Sequence, residues 1–149
     1  MNAAQLVSST VSQAGWRCVH ASPELTVVEI EEGLPDGRSQ FVEISYIPGG
    51  VAHYGAGTLP ALLQIRSRVF ERSGAHYDHD SAEPLNTMAI LSNDFQPFGI
   101  IRLHPHYYIA CTTIIDGLTP TTLSDLILSA GAIGDQFERN LHGVDHDRF

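Results

Sequence analysis

The turn Leu34-Pro35-Asp36-Gly37-Arg38-Ser39, set between two runs of alternating polarity, constrains this chain more than any other stretch. Proline presets φ and glycine accepts positive φ, so the backbone reverses there. On its two sides, "ELTVVEIEE" (24–32) and "QFVEISYI" (40–47) read as strands, the second with Val42, Ile44 and Tyr46 on one side. Together they predict an antiparallel hairpin. Glu29, Glu31, Glu32 and Glu43 fall on what reads as its wet side. A lone hairpin is marginal in water, so the rest of the chain must add strands and something to cover them.

The segment 61–71, "ALLQIRSRVFE", fits either period. As a strand it turns Leu63, Ile65 and Val69 to the core and Gln64, Arg66 and Arg68 to water; the need for more sheet favours that reading. "WRCVH" (16–20) is a further short strand, and "FGIIRLH" (98–104) with "HYYIACTTIID" (106–116) makes a second antiparallel pair. Three helices are expected. The first covers 3–14, with Leu6, Val7, Val11 and Ala14 on one face, Asn2 as cap and Gly15 as stop. The second covers 83–95, capped by Asp80 or Ser81. The last starts at Thr119-Pro120 and carries Leu123, Leu126, Ile127, Ala130, Ile133, Phe137 and Leu141 at helical spacing. Ala130 and Gly134 leave a notch on it where another backbone can approach.

The fold class that follows is α+β in a single domain over 1–149: an antiparallel sheet with helices packed on one face. The order is helix, three to four strands, helix, two strands, long C-terminal helix. Trp16, Val28, Ile30, Val42, Ile44, Ile101, Leu103, Ile109, Leu126, Ile127 and Ile133 are expected in the core.

Charge narrows the function classes. The chain of 149 residues has a net charge of −9 and no lysine; its eight fixed cations are all arginines. Schiff-base and phosphate-loop lysine chemistry are excluded, and an acidic surface repels nucleic acid. No apolar run is long enough to span a bilayer, and "MNAAQLVSSTVSQAG" lacks the pattern of a secretory signal. Cys18 and Cys111 read as reduced, buried thiols of a cytoplasmic protein. No nucleic acid, membrane or cofactor is expected.

"AHYDHD" (75–80) is the densest chemistry in the chain. A metal site there would use His76, Asp78 and His79 with His104, His106 or Cys111, but the spacing does not converge as zinc requires. The run reads instead as a solvent-exposed loop without a structural metal. "LHGVDHDRF" (141–149) reads as a fraying end. No serine sits in a nucleophile elbow, "GAGTLP" lacks a nucleotide fold's context, and Cys111 sits mid-strand among apolar neighbours. No catalytic residue is expected. Arg66 and Arg68 share one side of their strand, with Arg72 and Arg102 nearby. Their forks suit a partner's carboxylates or, on the plainer reading, the protein's own glutamates.

The overall order resembles the YbjN family, whose fold is similar to that of type III secretion chaperones of the Tir-chaperone kind. The resemblance spans roughly 3–141. It rests on the helix before Gly15-Trp16, "LPDGRSQ", "FVEISY", "LLQIRSRV", "LSNDFQPFGIIRL", "YYIACTTIIDGLTPTTL" and the final amphipathic helix. The loops at 47–60 and 72–81 are longer and richer in histidine than that pattern. The resemblance implies a small acidic domain that dimerises, binds an extended segment of a protein or peptide client, and catalyses nothing. Strands 61–71 and 98–116 look apolar on both faces, which predicts a partly bare sheet face. Arg66, Arg68, Phe98, Ile100, Tyr108 and Ile114 are the expected partner-binding residues, with Tyr107 and Ile115 beside them. The alternatives are a metal-binding protein using the histidine loop, or a small-molecule-binding domain with its pocket between the sheet and a helix.

Overall fold

The computed structural model describes residues 2–35, 37–50, 60–71, 95–103 and 105–142. Among them, helix α1 (Ala3–Ala14) precedes strands β1 (Arg17–Ala21), β2 (Leu25–Ile30), β3 (Gln40–Ile47), β4 (Leu62–Glu71), β5 (Gly99–Leu103) and β6 (His106–Ile114). Helix α2 (Pro120–His142) ends the described chain. The strands form one antiparallel sheet in the order β1-β2-β3-β4-β6-β5. The α+β class is as expected, with both helices packed on the sheet. The expected helix over 83–95 (except its last residue), the "AHYDHD" run and residues 143–149 lie outside the described residues.

Local chemistry sets the boundaries. Asn2 Oδ1 accepts from the Gln5 N–H at 2.8 Å while the Asn2 N–H donates to Gln5 Oε1 at 3.0 Å, a reciprocal cap for α1. Gly15 ends that helix at φ 73°. The β2–β3 turn closes through Arg38 N–H on the Pro35 carbonyl at 3.0 Å, with Gly37 at φ 78°. Thr119 Oγ1 accepts from the Thr122 N–H at 3.2 Å and opens α2.

Leu6, Val7 and Val11 of α1 and Leu123, Ile127, Ala130 and Phe137 of α2 bury against Val28, Ile30, Val42, Ile44, Leu63, Ile65, Val69 and Ile109. Segment 61–71 is thus a strand, the one that joins the hairpin to β6. Four expectations need correction. Ala14 is exposed, and Thr10 completes the buried face of α1 by donating its hydroxyl to the Leu6 carbonyl at 2.7 Å. Trp16 is only partly buried because it precedes an edge strand, β1, whose residues are all exposed. Ile101 is half-buried and Leu103 is 43% exposed: on β5 the residue that meets the core is Ile100, one position out of phase with them. Leu126 and Ile133 flank the buried stripe of α2 and are partly buried. Among the described residues, no helix is long and apolar enough to cross a membrane.

Candidate functional site

Strand alternation sorts the sheet into a helix face and an opposite, open face on which no described helix packs. On the open face the register stacks side chains in cross-strand rows. One row reads Phe41, Arg68, Tyr108, Ile101; the next reads Val27, Glu43, Arg66, Ala110; then come Ser45, Gln64 and Thr112; the last is Ile47, Leu62 and Ile114.

The first two rows close over themselves. Arg66 donates from Nε and Nη2 to Glu43 Oε1 at 3.2 and 2.9 Å and from Nη1 to Gln64 Oε1 at 2.9 Å. Arg68 Nη2 lies 3.9 Å from Glu43 Oε2 and 3.5 Å from the Tyr108 hydroxyl. Both guanidinium groups lie over the Tyr108 ring, 5.3 and 5.9 Å from its centroid. His106 meets that ring edge-on. Glu43, Tyr108 and Ala110 are only 4–6% exposed, and no described helix covers them. Burial pushes the Tyr108 phenol above its ordinary value, Glu43 adds to the rise, and the two arginines oppose it.

The expected roles change accordingly. Glu43 is not on a wet face but buried under two arginines, and Arg66 and Arg68 do not face water: their side chains keep only 14% and 15% exposure. The physical cause is register, since Glu43 pairs directly with Arg66. The glutamate-paired reading of the arginines is the one found. The six expected partner-binding residues also divide. Arg66, Arg68, Tyr108 and Ile114 share the open face, whereas Phe98 and Ile100 pack into the core on the helix side, as does Tyr107. Ile114 is 51% exposed and Ile47 37%, with Leu62 between them, so among the described residues the last row is an apolar opening on this face, as Leu103 at 43% is at its other end.

A second polar cluster lies on the helix face, at the far end of α2. Gln40 Nε2 donates toward Ser67 Oγ (2.8 Å), the Arg68 carbonyl (3.1 Å) and Glu138 Oε1 (3.3 Å). Ser67 Oγ donates on to the Phe41 carbonyl at 3.1 Å. Asp135, fully buried, pairs with Arg38 Nε and, through Oδ2, with Arg139 Nε at 2.9 Å. Gly134 makes the approach possible: a Cβ there would sit 2.8 Å from Ser67 Cβ and closer still to its hydroxyl. The expected small-residue notch is real at Gly134, and β4 fills it. The cluster itself was missed. Its signals were Ser67 at an inward position between Ile65 and Val69, and Gln40 two residues before inward Val42.

Of the metal alternative, His76, Asp78, His79 and His104 lie outside the described residues; among those described, no three metal-ligating side chains gather. Cys111 is buried in β6, and burial pushes its thiol up, away from the activated range. Cys18 is exposed, contrary to expectation, because β1 is an edge. The sequence matches no protein-family model and no curated protein.

Proposed function

We propose that the chain is a non-enzymatic protein-binding domain, a chaperone-like or regulatory adaptor of the YbjN type that acts as a homodimer. The observation that carries this reading is the row Ile47, Leu62, Ile114: three aliphatic side chains aligned across β3, β4 and β6 on the face that no described helix covers. An exposed apolar patch of this kind on a soluble domain marks an interaction surface. Contact of the row with itself across a two-fold axis closes the assembly.

The sheet edges support the client half of the reading. β1 carries a register shift between Cys18 and His20, a device that discourages strand addition, whereas β5 pairs residue for residue from Gly99 to Leu103 with no shift. An extended client segment is accommodated better at β5. Arg66 and Arg68 in this reading shape the face and hold Glu43; they are not the client's principal anchors, because Arg66 spends its donors on Glu43 and Gln64.

Substitution of the row tests it. Ile114→Asp should convert the dimer to a monomer in sedimentation velocity at micromolar concentration, with the circular dichroism spectrum unchanged. Ser45→Asp, one row away, should weaken assembly far less. An Ile114→Asp protein that sediments like the wild type would remove this face from the proposal.

A further inference from the structure

We draw no further inference here: the strongest candidate, the buried polar seam of Gln40, Ser67, Asp135 and Glu138 under α2, carries nothing because it belongs to the clusters already described and its groups are spent on one another and on Arg38 and Arg139.

Discussion

The two faces of this sheet are finished by different means. On the helix face, α1 and α2 bury an aliphatic layer, and at one end α2 presses Gly134 against Ser67 so that Gln40, Ser67, Asp135 and Glu138 all reach 0% exposure. On the open face, among the described residues, charge is managed by strand neighbours: Arg66 and Arg68 lie across Glu43 and Tyr108, and their stems shield the strip beneath. The clusters stand back to back on β3 and β4 and touch through the Gln40 amide and the Arg68 carbonyl. A charged pair clasped by a helix is fixed by three elements at once. A pair laid across two strands is set by their register and stays closer to solvent and salt.

That contrast can be broken at several points. The largest effect should come from Asp135→Ala, which leaves the Arg38 guanidinium without its buried carboxylate and should cost about 3 kcal/mol in urea unfolding. A loss under ~1 kcal/mol would mean the helix-face cluster is not a clasp. Gly134→Ala should follow at about 1–3 kcal/mol, because its Cβ would collide with Ser67. Adding Ser67→Gly should recover part of that loss, and failure of the rescue would place the collision elsewhere. Glu43→Gln on the open face should cost less, about 1.5 kcal/mol at low salt, and the cost should shrink in high salt. An unchanged cost in molar salt would show the two faces to be equally sealed.

The smallest effect is alkaline. Tyr108 and Cys111 both have raised values in the fold, from 10.0 and 9.0, so between the unfolded and folded values the native state holds protons that the unfolded chain has lost. Their contribution is complete below about pH 9 and declines as pH rises through the folded values. Tyr108→Phe should make the stability curve above pH 10 shallower, and an identical curve would show that burial does not raise the phenol.

How much of this was legible beforehand depended on what each residue's neighbour was. Period-two alternation placed Val42, Ile44, Leu63 and Ile65 inward, and helical spacing placed Leu123, Ile127 and Phe137, because both patterns are properties of one element. Glu43 and Arg66 were misplaced for the opposite reason. Alternation says which face a side chain takes, but only the β3–β4 register says that the two lie opposite each other and bury one another. Ile100 and Tyr108 both read as exposed-face residues because β5 and β6 are apolar on both sides, and the phase of such a strand is set by its partners. Ser67 and Gln40 broke the alternation at inward positions. Together with Gly134 they were the signal for a polar seam under α2, since a polar residue facing a core needs a partner there.

The proposed dimer rests on the apolar row that ends the open face. Light scattering on the unaltered protein at micromolar concentration tests it most directly. A dimer should give a mass of about twice 16.2 kDa that falls toward 16.2 kDa on dilution. A species that stays at 16.2 kDa up to the highest soluble concentration would contradict it.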